Sequence, residues 1–320
     1  MAQVVATFST YDAVGNREDL SDIIYDISPT DTPFVSNGGR GSADHTFHEW
    51  QQDALASAGS NAQVEGDDVD VYDTASPTVR VGTYCQISRK TVLVSGTQRA
   101  VNPAGRPDEL PFQLAKRSKE LKRDIEYICT NNQATVAGDD STARTTGSIQ
   151  AWLKGNSSEG TNGADPVYST TPTDTRSDGD ERTFTEAMLK TVIQSAWTNG
   201  GEPSMLLMGA YNKTVASAFT GIAAQRHAAG DSPTTIVGAA DVYVSDFGDI
   251  SFVPSRFQKQ SDALVLDTNG YSIDFLRPFM QEEMAKTGDG DKRMLLVEWS
   301  LKVNHELQHG IVADLRTVAV

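Results

Sequence analysis

The chain has 320 residues, 38% of them hydrophobic, and its 27 Lys and Arg against 43 Asp and Glu leave a formal net charge of −16. That length allows one large or two ordinary domains, while the acid excess argues against a general nucleic-acid binder, which displaces counterions with Lys and Arg, and against attraction to anionic membrane surfaces. Two cysteines, Cys85 and Cys129, make neither a disulfide framework nor a cysteine-rich metal cluster and fit a reducing compartment. With no basic and apolar leader at the start and no apolar run of about 18 residues, the expectation is a soluble protein made in the cytoplasm.

Leu20, Ile23, Ile24 and Ile27 recur at i, i+3, i+4 and i+7, so Arg17 to Ile27 is predicted as a helix, capped by Asn16 and stopped by Ser28-Pro29. Thr30 to Phe34 reads as an extended arm, followed by a glycine-rich turn from Asn37 to Gly41. His45 to Gln52 and Val79 to Ser95 are predicted strands. The polar stretch Ala54 to Pro77 between them, where Glu65, Asp67, Asp68, Asp70 and Asp73 crowd together, predicts a long hairpin projecting from the body.

Asp108 to Asn131 carries the strongest helix signal. Leu114, Leu121, Ile125 and Ile128 form one narrow stripe, and Lys116, Arg117, Lys119, Lys122 and Arg123 surround it with Glu120 alone among them. A rod of about 36 Å with so narrow a stripe must turn most of its surface to water or to another chain. Gln133 to Arg182 is polar and turn-rich, and so long an irregular segment reads as a surface excursion or a partly disordered one. Thr183-Phe184-Thr185-Glu186 has the form of a capping box opening a helix that Asn199-Gly200-Gly201 ends. Met205 to Met208 predicts a buried strand and Asn212 to Phe219 a helix. Val242–Val244, Ile250–Val253, Ala263–Leu266, Tyr271–Leu276 and Met294–Val303 predict strands.

No catalytic constellation survives inspection. His305-Glu306-Leu307-Gln308-His309 matches the zinc-hydrolase string H-E-x-x-H, which needs a helix. The segment before it alternates as a strand, Gly310 follows directly, and no third His lies downstream. Asp68 to Asp73 lacks the glycine and third oxygen ligand of a calcium loop and reads as a solvated tip. Cys85 and Cys129 fit small buried residues better than nucleophiles. The basic run from Lys116 to Arg123 has no aromatic interleaving of the kind that stacks bases. No catalytic, metal or cofactor site is expected.

Several short segments look like parts of one phage capsid family: Gly15-Asn16-Arg17-Glu18-Asp19-Leu20; Ser28-Pro29-Thr30-Asp31-Thr32-Pro33-Phe34; His48-Glu49-Trp50-Gln51 with Asp53 and Leu55; and Ala285-Lys286-Thr287-Gly288-Asp289 followed by Glu298 and Leu301. Together with the order of the elements, they make the chain resemble the major capsid proteins of tailed bacteriophages with the Hong Kong 97-type fold. The resemblance implies an α+β fold with an N-arm over 1–44 and an extended loop over 45–100. It implies a peripheral domain over 101–182 with its spine helix at 108–131, an axial domain over 183–274, and peripheral return strands over 275–320. It implies self-assembly as pentamers and hexamers into an icosahedral shell in the virion, made in the host bacterial cytoplasm. Such a shell encloses double-stranded DNA without sequence-specific binding, has other copies of the chain as its main partner and scaffolding, portal and decoration proteins as further ones, and involves no membrane. With its start so close to the arm helix, the chain is expected to carry no fused scaffolding region of any size.

In that fold the extended loop of one subunit lies over the spine-helix side of the next. Glu65, Asp67, Asp68 and Asp70 are therefore expected to meet Lys116, Arg117, Lys119, Lys122 and Arg123 across a subunit boundary, setting register more than strength. Some shells of this fold weld neighbours through an extended-loop Lys, but His45 to Val79 contains none, so no such weld is expected. The competing readings are an encapsulin-like compartment with the same fold, a zinc hydrolase built on His305 to His309, and a surface or scaffold protein that forms no shell.

Overall fold

The computed structural model describes residues 29–66, 68–69, 72–101, 105, 107–219 and 241–318. The predicted helix over 17–27 and the acidic residues Asp67 and Asp70 lie outside them. The fold is α+β, built around two sheets and a separate hairpin.

The first sheet has four strands in the order β1 (Gly39–Ser42), β10 (Tyr271–Met284), β11 (Gly290–Val303) and β4 (Gln86–Ser95), with β1 parallel to β10 and the rest antiparallel. Alternation places Val297, Trp299, Leu301 and Val303 of β11 on its buried face with no exposed surface, and the Trp299 indole Nε1–H donates to Ser88 Oγ at 3.1 Å. The long helix α3 (Glu109–Thr130) lies beside this sheet. Asp108 caps its start by accepting from Leu110 N at 3.2 Å, and Asn131 closes its end. Its buried face is Leu110, Leu121, Ile125, Glu126, Cys129 and Thr130; Leu114 and Ile128 of the predicted stripe are only partly buried.

The second sheet has six strands in the order β5 (Ser157–Ser158), β12 (Gly310–Val312), β9 (Ala263–Leu266), β6 (Met205–Met208), β8 (Gly248–Pro254) and β7 (Val242–Ser245). It divides two apolar cores. Met205 and Leu207 of β6 and Leu264 and Leu266 of β9 face the core that holds Trp152, Leu121 and Trp299. Leu206, Met208, Ala263 and Val265 face the core formed with Leu189, Val192 and Ile193 of α5 (Glu186–Thr198). Burial on both faces explains why β6 and β9 read as unbroken apolar runs.

Several local expectations need correction. Val79–Ser95 is two strands: β3 (Val79–Tyr84) pairs with β2 (Phe47–Gln52) in the hairpin, and β4 joins the first sheet. The break falls at Cys85, whose N–H donates to Thr46 O at 2.7 Å, next to the hairpin's last pair, Phe47 and Tyr84. The arm is not extended through Phe34, because a short helix α1 (Pro33–Asn37) opens on the pre-set φ of Pro33. Another short helix, α2 (Gly96–Ala100), was not foreseen. The cap of α5 is Thr185 rather than Thr183, and Glu186 instead accepts from Tyr243 OH at 3.0 Å and pairs with Lys190 at 2.8 Å. The next helix, α6, spans Ala210–Ala216 rather than 212–219. Strands β10 and β11 extend well beyond their apolar inner halves into a polar ribbon.

The polar stretch 133–182 contains only the short helix α4 (Ile149–Trp152) and β5, yet it is tied down by a buried cation. The Arg176 side chain has no exposed surface and binds Asp165, Glu159 Oε2 at 3.2 Å and Leu153 O at 3.1 Å.

Candidate assembly surfaces

The hairpin of β2 and β3 is rooted in the body by aromatic and polar contacts. Trp50 packs on Trp152 with ring centroids 5.3 Å apart, and Gly82 N–H donates to Thr170 O at 3.2 Å. His48 Nε2 lies 2.8 Å from Asp274. Burial works against the Asp274 carboxylate, but hydrogen bonds from His48 and Ser272 hold its pKa below the usual range. Beyond the root, the described part of 53–78 has no regular structure. Gly66 turns the chain at φ +82, a conformation that favours glycine.

This loop exposes side chains that a lone subunit gives no shelter: Leu55 is 97% exposed, Tyr72 82% and Val64 79%. Glu65 and Asp68 are exposed beside them, and among the described residues neither has an ion-pair partner. On α3, Lys116, Lys119 and Lys122 are likewise exposed and unpaired among the described residues. The other two cations of the predicted patch are occupied: Arg117 pairs with Glu120 at 2.6 Å, and the Arg123 guanidinium lies 5.7 Å from the centre of the Phe257 ring. Within one subunit, no described ion pair joins the loop acids to α3.

Sequence reasoning missed Glu126. On the inner side of α3, its two carboxylate oxygens accept the N–H groups of Phe34 and Val35 at 2.9 and 2.8 Å. These are free donors of the first turn of α1, so a side chain of the long helix caps the helix of the arm. Tyr271 OH adds a 3.0 Å bond to Phe34 O and its ring stacks on that of Phe34 at 4.3 Å. Burial raises the pKa of Glu126 to about 7, against the lowering effect of its two hydrogen bonds.

The H-E-x-x-H string forms no metal-binding helix. Glu306–Gln308 is a single 3-10 turn capped by His305, whose Nδ1 accepts from Leu307 N at 3.2 Å. Glu306 turns to the N–H groups of Lys154 and Gly155 at 3.3 and 3.1 Å. His309 is buried, with Nδ1 accepting from Asp267 N at 3.2 Å and Nε2 3.3 Å from Gly270 O. Burial lowers its pKa to about 4. Both ring nitrogens already have backbone partners, and among the described residues no group of three or more His, Cys, Asp or Glu is placed to hold a metal. Cys85 and Cys129 are buried, and burial raises the pKa of both thiols. No helix among the described residues is long and apolar enough to cross a membrane.

Comparison with known proteins places the chain in a family. A family model described as SU10 major capsid protein matches residues 6–316. A curated relative, the major capsid protein of Escherichia phage Phieco32, is 44% identical over 128 residues, which is 40% of this chain and 36% of that protein. The matched part is therefore little more than a third of that relative's length. Among solved structures, the cyanophage A-1(L) capsid aligns with TM-score 0.66 at 12% identity, covering 97% of this chain and 99% of that one. Gordonia phage Cozz aligns with TM-score 0.61 at 12% identity, covering 98% and 97%. An encapsulin complex from Synechococcus elongatus aligns with TM-score 0.56 at 11% identity, covering 95% and 94%. At such identities the likeness is one of fold.

Proposed function

The chain belongs to the SU10 major capsid protein family, and from that membership we propose that it assembles as pentamers and hexamers into an icosahedral shell enclosing double-stranded phage DNA in the virion. The observation that carries the reading is the family match over residues 6–316. The fold alone is shared with an encapsulin and supports either kind of shell. In the proposed shell, 1–44 is the N-arm, 45–100 the extended loop, 101–182 and 275–320 the peripheral domain, and 183–274 the axial domain. The chain acts structurally rather than as an enzyme. Scaffolding, portal and decoration proteins are its further partners, and synthesis takes place in the host cytoplasm.

Electron microscopy of particles recovered from expressing cells tests this reading. Closed shells or rings of five and six are expected; single subunits at every concentration would overturn it. Shells filled with a cargo protein in place of DNA would favour the encapsulin-like reading.

Across subunit boundaries, the acidic loop tip (Glu65, Asp67, Asp68, Asp70) faces the basic side of the neighbour's long helix. Lys116, Lys119 and Lys122 are the cations best placed to answer it, since Arg117 and Arg123 already have partners in their own subunit. Exposed pairs of this kind add little strength and mainly fix register. Reversing two of these lysines, Lys116→Glu with Lys119→Glu, should shift the salt dependence of assembly followed by light scattering. Glu65→Lys with Asp68→Lys should restore it. Unchanged salt dependence in the lysine variant would refute the pairing.

A further inference from the structure

A cavity of about 390 Å³ lies where the hairpin of β2 and β3 joins the body. Pro77, Val79 and Val81 on the returning leg and Trp152 at the end of α4 give it apolar walls, and Asp53 and Ala54, just past β2, line it from the outgoing leg. Val81 and Trp152 belong to the first core, so that side of the cavity is held by packing. Its size falls in the range of pockets that take small organic molecules.

Three donors on its wall have no oxygen acceptor among the described residues. The Lys154 ammonium lies over the Tyr168 ring, 4.5 Å from its centre, and pairs with no carboxylate. The Tyr168 hydroxyl is itself engaged with Trp152 O. His305 Nδ1 accepts from Leu307 N at 3.2 Å, which puts the proton of the neutral ring on Nε2. Burial, with Lys154 nearby, lowers the pKa of His305 and keeps the ring neutral. The third donor is the indole N–H of Trp152, a residue only 1% exposed. The two acids of the wall are answered from the backbone instead. Asp53 Oδ1 accepts from Ala54 N at 2.9 Å, and Glu306 Oε2 accepts from Lys154 N and Gly155 N at 3.3 and 3.1 Å. Burial raises the pKa of Glu306 against the pull of Lys154.

We propose that this cavity binds a small organic carboxylate with a flat apolar body. The body lies against Val79, Val81 and Trp152, and the carboxylate takes charge-assisted hydrogen bonds from Lys154 and His305. Apolar walls supply burial and a few convergent donors supply orientation, which is the usual division of labour in such sites. A molecule held there touches both legs of the hairpin and the body at once, so occupancy ties the loop down at its root. The cavity is built from one subunit alone. It is therefore independent of the shell reading and is read in free subunits.

The test uses benzoate as the probe and benzamide as its uncharged counterpart, titrated into unassembled full-length chain carrying 15N-labelled tryptophan. The chain has four Trp. The indole signals of Trp152 and of Trp50, which packs on it, should move and saturate, while those of Trp197 and Trp299 stay in place. For a probe of about nine non-hydrogen atoms, a dissociation constant of about 1 mM is expected. Benzamide should bind at least about tenfold more weakly, because it lacks the charge that Lys154 answers. Lys154→Gln should weaken benzoate binding by a similar factor, and Asp53→Asn, which removes a like charge from the rim, should tighten it. Both residues are exposed, so neither change threatens the fold. Equal binding of benzoate and benzamide would overturn the proposal. So would undiminished affinity in Lys154→Gln, or shifts spread evenly over all four indole signals.

Discussion

Replacing Glu126 with Gln should remove a pH dependence that the fold builds into the junction of arm and long helix. Glu126 is fully buried, and burial raises its pKa from 4.5 to about 7. Between those values the folded chain keeps a proton that the unfolded chain has released. The contribution to stability is thus complete below pH 4.5 and lost as the pH rises through 7. At about 1.4 kcal/mol per unit, the change across the window is about 3 kcal/mol. Nearby groups do not titrate in this range, since burial raises the pKa of both the Cys129 thiol and the Tyr271 hydroxyl. Gln keeps the shape but turns an amide N–H toward one of the two donors, a cost of about 1–3 kcal/mol at every pH. Urea unfolding of unassembled subunits from pH 4.5 to 8, fitted with a shared slope, should therefore show the stability of wild type minus that of Glu126→Gln falling by about 3 kcal/mol as the pH rises, which closes the gap or reverses its sign. A gap that stays constant or widens would refute the reasoning.

His309 works in the opposite sense. Its pKa falls from 6.5 to about 4, so its contribution is present above pH 6.5 and is lost as the pH drops toward 4, again by about 3 kcal/mol. Between pH 4.5 and 6.5 the two contributions have opposite signs, so each is read as a difference between wild type and its own variant. His309→Asn should remove the acid-side loss, and the difference between the two urea series checks it. Trp299→Ala, at a site with no exposed surface in the first core, should cost about 3–5 kcal/mol in the same assay.

How much the sequence disclosed depended on whether a signal was local. The helix Glu109–Thr130 sits one residue inside its predicted ends because both caps, Asp108 and Asn131, are side chains that announce themselves. Strands β6 and β9 were found because burial on two faces makes an apolar run. The division of Val79–Ser95 was not legible: both halves have strand character, and what separates them is the partner each finds, β2 or β11. The helix α1 was missed because five residues carry no period; it stands on Pro33 and on a carboxylate 92 and 91 positions from the two N–H groups it caps. On the candidate surfaces, the exposed acids and lysines could be read from composition alone. Glu126 could not, because a glutamate on a charged helix looks solvent-facing. The available hint was that Cys129 and Thr130 widen the apolar stripe until it reaches that residue.

The loop also separates what would hold a shell from what would align it. With no Lys between His45 and Val79, it has no amine for a covalent weld, and its described acids are exposed and so add little strength. That leaves the apolar side chains. Leu55 and Tyr72 are 97% and 82% exposed, and burying each against a neighbour is worth about 1.5–3 kcal/mol before the cost of ordering the loop. Repeated at every subunit, such a term is enough to decide whether a shell stays closed. Leu55→Ser with Tyr72→Ser should therefore leave the urea midpoint of the free subunit unchanged, since neither side chain packs within it. Assembled particles of the variant should come apart at distinctly lower denaturant, as followed by light scattering, and wild-type particles boiled in reductant should run as a single band. If variant particles dissociate at the same denaturant as wild type, the loop is not what holds neighbours together, and the strength of the wall must lie in the arm or in the sheets.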